Sequence, residues 1–223
     1  MENYYKKFEN QLEKLENSAE KSDKKPKLLI QACCAPCSSY CLELLAPHFD
    51  ITVYYYNPNI DDRTEFEKRL AELRRLVTEA PFAKDVKVIE GDWEPEKFFE
   101  MAKGREHLPE RGERCYDCYK LRLSKTAQFA RDNGYDFFST TLSISPYKNS
   151  QWINEIGVEL ENNLREESWE GEKEVPVFLF SDFKKKDGYK RSIQLSAEYS
   201  LYRQNYCGCI FSKRDSSSET ENS

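Results

Sequence analysis

The sequence predicts an α/β protein: a doubly wound, mostly parallel sheet with flanking helices. Short apolar, β-branched or aromatic runs alternate with longer segments whose apolar residues recur every three or four positions. Polar and reactive residues also follow directly on the ends of several apolar runs, the rim where such sheets bind ligands.

Asn3–Ser22 carries Tyr5, Phe8, Leu12 and Leu15 at helical spacing on a narrow apolar face, which predicts a helix lying on the surface. Pro26 closes it, and Leu28–Ile30 is a buried strand leading into a cysteine cluster. A helix over Ser38–Pro47 and a strand over Ile51–Tyr56 follow, closed by Asn57-Pro58-Asn59. Phe66, Leu70, Leu73 and Val77 mark a helix over Arg63–Glu79, and Val86–Ile89 is a third strand. A polar segment with Gly104, Pro109 and Gly112 then reaches Cys115. From there Tyr119, Leu123, Ala127 and Ala130 form an apolar helical face that stops near Gly134. The remaining expectations are strands over Asp136–Thr141 and Val175–Phe180, and helices over Gln151–Trp169 and Ile193–Gln204. Pro176 points to an edge position for the last strand.

At 223 residues the chain suffices for one sizeable domain with a buried core. The expected organisation is a charged helical extension over 1–25, a single catalytic α/β domain over 26–212 and a disordered Ser/Glu/Asn tail over 213–223. No apolar run approaches the roughly 18–20 residues of a membrane span. The charged N-terminus lacks the apolar stretch of a secretory signal, so a cytoplasmic location is expected, with no membrane partner. The formal net charge of −6 argues against a broad nucleic-acid-binding surface but leaves room for a local basic patch.

In a reducing compartment clustered thiols point to metal or redox chemistry. The eight cysteines form three groups: Cys33-Cys34 with Cys37 and Cys41, Cys115 with Cys118, and Cys207-Gly208-Cys209. Core filler explains single buried cysteines, and Cys41 is assigned to it; paired spacing does not suit it. Two pairs would also make a tetrahedral zinc site. Adjacent thiolates, however, fit poorly around one ion, whereas neighbours on a [4Fe–4S] cluster reach different irons. Cys33, Cys34, Cys115 and Cys118 would supply four cluster thiolates. Cys37 is a candidate ligand for an additional iron ion. Cys207 and Cys209 then remain as a redox-active dithiol, with a second ligand pair as the alternative.

Six stretches together resemble the cobalamin-independent epoxyqueuosine reductases. They are Cys33-Cys34-Ala35-Pro36, Tyr56-Asn57-Pro58-Asn59-Ile60, and Arg114-Cys115-x-x-Cys118-Tyr119-x-Leu121-Arg122-Leu123. The others are Ser139-Thr140-Thr141-Leu142-x-x-Ser145-Pro146-Tyr147-Lys148-Asn149, the run Phe183–Gly188 and the run Tyr202–Cys209. The resemblance covers about Pro26 to Ser212. It implies reduction of the epoxide of epoxyqueuosine, at the wobble position of a tRNA, to the alkene of queuosine with loss of water. It also implies a [4Fe–4S] cluster on Cys33, Cys34, Cys115 and Cys118, a redox-active disulfide between Cys207 and Cys209, and an electron donor that no motif specifies. Kinship with nucleotide-binding (HUP-like) α/β domains is implied as well. The cysteine pair stands where those domains carry a phosphate loop, so neither ATP nor cobalamin is expected.

Lys184, Lys185, Lys186, Lys190 and Arg191, with Arg203 further on, form the strongest basic cluster and are candidate tRNA contacts; a solvated turn is the plainer explanation. His107, Asp117, Tyr147 and Lys148 are candidate proton donors that spacing does not separate. Two other classes remain alternatives: a zinc-stabilised tRNA-binding module without catalysis, and a protein thiol–disulfide oxidoreductase, which would leave Cys33-Cys34 unexplained.

Overall fold

The computed structural model describes residues 2–19, 24–168 and 174–213. Its centre is a sheet of parallel strands: β1 (Lys27–Gln31), β2 (Asp50–Tyr55), β3 (Lys87–Glu90), β4 (Phe137–Thr140) and β5 (Val177–Phe178), in the order β3-β2-β1-β4-β5. The helices are α1 (Tyr4–Ala19), α2 (Ala35–Leu45), α3 (Arg63–Glu79), α4 (Pro95–Ala102), α5 (Glu113–Asp132), α6 (Ser150–Glu167) and α7 (Gly188–Glu198). Strand order reverses between β1 and β4, so the expected doubly wound fold is present with its crevice beside these two strands.

Leu28 and Ile30 face one core with Val53, Leu42, Phe66 and Leu73, while Leu29 faces the other with Phe138, Leu123 and Ile156. A strand buried on both faces reads as a continuous apolar run, which is why Leu28–Ile30 was recognisable. A buried polar network closes the strand ends above that core. The Thr140 hydroxyl donates to Gln31 Oε1 at 2.8 Å, and Gln31 Nε2 donates to the Tyr56 carbonyl and to Asn57 Oδ1, each at 3.0 Å. Asn57 Nδ2 in turn donates to the Ala32 carbonyl at 2.8 Å. With these groups satisfied inside the protein, the rim is rigid where the reactive residues begin.

β5 is an edge strand, as Pro176 required, and only two residues of the six-residue expectation pair. The α1 helix is more than a surface element: Phe8 is buried edge-on against Phe183, and the Gln11 amide bonds the Phe178 carbonyl and the Phe180 N–H at 2.9 Å. Gln11 thus occupies backbone groups that an open sheet edge would otherwise present. The short helix α4 precedes the polar segment and was not expected; of its apolar residues Phe98 and Ala102 are buried, while Phe99 is exposed. Helix α7 starts at Gly188, five residues before the expected Ile193. A Cβ there would meet the Phe183 carbonyl at 2.0 Å, so the glycine serves close packing. It ends at Glu198, and Ser200 in left-handed backbone (φ 48°) turns the chain into an irregular segment. The expected helix ends at Ser22 and Trp169, and all but Lys213 of the expected tail, lie outside the described residues.

Candidate active site

Each cysteine group of the first two segments sits where a helix begins. Cys33 and Cys34 follow β1, Cys34 caps α2 with extended backbone, and Pro36 occupies the first turn, where its missing N–H costs nothing. Cys37 lies in the same turn. Cys115 and Cys118 occupy the first turns of α5. Unsatisfied backbone N–H groups at helix starts favour negative charge, so both ends are suited to thiolates.

The three sulfurs of Cys33, Cys34 and Cys37 lie within 4.8 Å of one another, with Cys33 and Cys34 3.7 Å apart. Hydrogen bonds from Cys34 and then Cys37 pull the Cys33 thiol below its ordinary range, with help from the charges of Arg122 and Lys148. The hydrogen bond with Cys33 pushes Cys34 upward, and those with Cys33 and Cys34 push Cys37 upward, so the three thiols titrate as a coupled set. Cys41 is fully buried in the core, with its thiol donating to the Cys37 carbonyl at 3.3 Å.

Across from the trio, Cys115, Cys118, Cys207 and Cys209 line one cavity with Asn59, Arg114 and Arg122. Burial pushes the Cys118 thiol up to about 11, and burial together with Cys207 pushes Cys209 upward. Cys209 is buried and accepts the Ser212 N–H at 3.4 Å; Cys207 is half-buried and takes the Lys148 ammonium at 3.1 Å. All eight thiols are free, Cys207 and Cys209 included.

The third segment is held against α3. Arg69, paired with Glu65 at 2.6 Å and 2 % exposed, donates to the Cys207 carbonyl at 3.2 Å. Glu72 accepts the Tyr202 N–H at 2.7 Å, and Arg75 donates to the Tyr199 carbonyl at 2.9 Å. Gly208 has φ 117°, and a Cβ on it would meet Ile60 at 2.9 Å and Arg69 at 3.1 Å. Glycine is required there on both counts.

Buried side-chain groups without protein partners surround the thiols. Both amide atoms of Asn59, one terminal nitrogen of Arg114 and both terminal nitrogens of Arg122 are among them, as is one nitrogen of Arg69. Unpaired buried cations and amides are costly, and such a set marks the seat of an anionic or polar group. A cluster wrapped in thiolates fits that description. The sulfurs of Cys33, Cys34, Cys115 and Cys118 do not form a set within 4.8 Å among the described residues. Thiolates sharing one ion must lie closer than the four around a cubane, which occupies the space between them.

Arg69, Arg114 and Arg122 received no role from the sequence. Arg114, Cys118 and Arg122 follow at four-residue steps, so helical spacing alone would have set both guanidiniums beside a candidate ligand. Lys148 was one of four undifferentiated proton donors; its contact with Cys207 distinguishes it. Asp117 is ion-paired with Arg105. The basic segment lies away from this cavity, against α1 and α2. Lys186 pairs with Glu9, Lys184 with Asp182 and Arg191 with Glu43, while Arg203 donates to the Ser196 hydroxyl at 3.3 Å.

Among the described residues no helix is long and apolar enough to cross a membrane. The chain is 39% identical to an epoxyqueuosine reductase QueH of Staphylococcus epidermidis, over 95% of this chain and 86% of that one. To the protein of the same name from Streptococcus pyogenes it is 40% identical, over 87% and 73%. For that from Thermotoga maritima the figures are 37%, 83% and 89%. Among solved structures, the U34-tRNA thiolase NcsA from Methanococcus maripaludis with its [4Fe-4S] cluster aligns over 98% of this chain and 73% of that one. Its TM-score of 0.47 at 12% identity is too loose to bear on the site. The family model described as epoxyqueuosine reductase QueH matches residues 28–215, a span holding all eight cysteines; the chain belongs to that family.

Proposed function

We propose that this protein reduces the epoxide of epoxyqueuosine to the alkene of queuosine in tRNA, in the cytoplasm. The observation that carries the reading is a crevice lined by two cysteine pairs and by unpaired buried guanidiniums, one of which, Arg122, also acts on Cys33 of the third cysteine group, in a chain of this family. The reaction removes one oxygen as water and needs two electrons and two protons. Oxidation of Cys207 and Cys209 to a disulfide balances it: two S–H bonds are lost, one S–S bond forms, and the epoxide oxygen leaves with both protons. Lys148, touching Cys207 Sγ, is placed to steady charge on that sulfur and to hand on a proton.

Cys33, Cys34, Cys115 and Cys118 are the residues proposed to hold a [4Fe–4S] cluster. Bound there, it would supply single electrons from the donor to return the disulfide to the dithiol. Arg122 and Lys148 would balance the charge of its thiolates. The mutual spacing of Cys33, Cys34 and Cys37 favours a second reading for that corner, in which Cys37 helps to hold one further ion, iron or zinc. The basic segment is proposed to meet RNA phosphates. Exposed ion pairs such as Lys186 with Glu9 are weak in water, so a phosphate readily displaces the carboxylate.

The test is turnover of tRNA carrying epoxyqueuosine by anaerobically prepared protein, with nucleosides followed by mass spectrometry and iron, sulfide and zinc measured on the same sample. Queuosine formed in proportion to iron and sulfide supports the reading. Zinc without sulfide, and no queuosine, refutes it in favour of a binding module.

A further inference from the structure

We infer that the exposed ring of Tyr147, backed by the Arg111 guanidinium, is the seat on which the wobble base stacks while its epoxide-bearing substituent reaches inward to Cys207. The inference rests on the function proposed above and adds the residues that seat the base.

Tyr147 is 56 % exposed, more than any other large hydrophobic side chain among the described residues. A solitary exposed ring is ordinary on a protein surface, so its surroundings decide. The Arg111 guanidinium lies 4.7 Å from the ring centroid. Arg111 adopts left-handed backbone (φ 72°), uncommon for such a residue, and its own N–H donates to Cys115 Sγ at 3.3 Å. The segment that carries Arg111 is therefore tied to a cysteine lining the cavity. On the other side, Tyr147 precedes Lys148, whose ammonium is 3.1 Å from Cys207 Sγ. The Tyr147–Arg111 pair is thus tied to Cys115 through Arg111 and to Cys207 through the adjacent Lys148, two cysteines that line the cavity.

The seat is also preformed. The Tyr147 N–H donates to the Ser145 hydroxyl at 3.3 Å, the Lys148 N–H donates to the Ser145 carbonyl at 3.2 Å, and Asn149 caps the start of α6. With its backbone held this way, only the two side-chain torsions of the tyrosine remain to be ordered on binding. Beside Cys115, the half-buried ring of Tyr116 packs edge-on against Trp152 at 5.5 Å, which extends the aromatic rim. Unpaired RNA bases are recognised by stacking on aromatic rings and guanidinium planes. A protein partner would need a far broader apolar contact than one ring. With a net charge of −6, long-range attraction for RNA is weak, so short-range contacts of this kind must select the substrate.

The test is a binding cycle on the iron-loaded protein. Its probes are an anticodon stem–loop RNA with epoxyqueuosine at the wobble position and the same RNA with an abasic site there. Tyr147→Ala should weaken binding of the first RNA about tenfold. The abasic site should weaken binding to the wild type by a comparable factor and cost Tyr147→Ala little more, because each change removes the same stack. Tyr147→Trp should restore affinity for the modified RNA. Equal affinity of Tyr147→Ala and wild type overturns the inference, and so do independent, multiplying losses. In the latter case, queuosine formation by the wild type would leave the proposed function standing; its absence would remove that function and this inference together.

Discussion

Replacing Arg122 with Met should affect the metal-free and iron-loaded proteins in opposite directions. Arg122 is fully buried; its Nε donates to the Cys118 carbonyl at 3.2 Å, and its two terminal nitrogens have no protein partner. Its charge faces Cys118, Cys207 and Cys33. Without metal, Cys118, pushed to about 11 by burial, is a neutral thiol at pH 7, and the one lowered thiol, Cys33, faces both Arg122 and Lys148. The corner therefore carries excess positive charge, and burying an ion costs several kcal/mol. Methionine removes that cost and fills similar volume. It also forfeits a hydrogen bond from a charged group, about 1.5–3 kcal/mol, and the cation–π contact with Tyr119, about 0.5–2 kcal/mol. Set against these losses of roughly 2–5 kcal/mol, the recovered desolvation should stabilise the metal-free protein by at most about 2 kcal/mol, a rise in Tm of no more than roughly 8 °C at this size. When thiolates hold iron, the same change strands their negative charge, and iron and sulfide per chain should fall. Anaerobic melts and metal analysis of both forms provide the assay. A lower Tm for metal-free Arg122→Met, or full iron content in the loaded variant, would refute the charge-balance reasoning.

Cys118→Ala should abolish iron–sulfur absorbance and turnover; full iron and sulfide would remove Cys118 from the ligand set. The same variant tests a pH effect in the metal-free protein. Because folding raises the Cys118 pKa from about 8.5 to about 11, its contribution is intact below the lower value. It is lost as pH climbs between the two, at about 1.4 kcal/mol per unit, and Cys118→Ala should flatten that part of the stability profile. Cys209→Ser should keep its iron and lose most epoxide reduction, and wild type after one turnover without reductant should show the Cys207–Cys209 disulfide by mass spectrometry. Loss of iron in Cys209→Ser would instead make the pair ligands. Reversing the charges of Lys186 and Lys190 should raise the KM for tRNA and make binding less sensitive to salt; an unchanged KM returns the segment to a solvated turn.

The parts of the fold that could be read from the sequence are those in which local pattern and tertiary burial agree. Leu28–Ile30 is apolar because both faces of β1 are covered, and α3 and α5 carry broad apolar faces against the sheet. Helix α4 is hard to anticipate because eight residues span barely two turns, too short a window for a helical repeat to stand out, and Phe99 beside the buried Phe98 is exposed. The cysteine groups were legible because thiols are few and their spacing is chemical. Gln31, Thr140 and Asn57 were harder: the network that stiffens the rim joins residues up to 109 positions apart, and no local pattern encodes it.

The cations of the site show where such reading stops. Arg122 and Arg114 lie at four-residue steps from Cys118 on one helix, and only helical geometry turns that spacing into proximity. Lys148 reaches Cys207 across 59 residues, and Arg69 reaches the Cys207 carbonyl across 138. These contacts exist because β4, α3 and the final segment meet at the switch point of the sheet. Before the fold is known, Lys148 looks like any polar residue in a Ser-Pro-Tyr-Lys-Asn turn. Once the fold brings it to Cys207, the two sulfurs of the Cys-Gly-Cys pair become inequivalent. One is half-open and touches an ammonium; the other is buried and held by a backbone N–H. For the dithiol role proposed for this pair, that asymmetry puts Cys207 on the open side, where a substrate would approach, and Cys209 behind it.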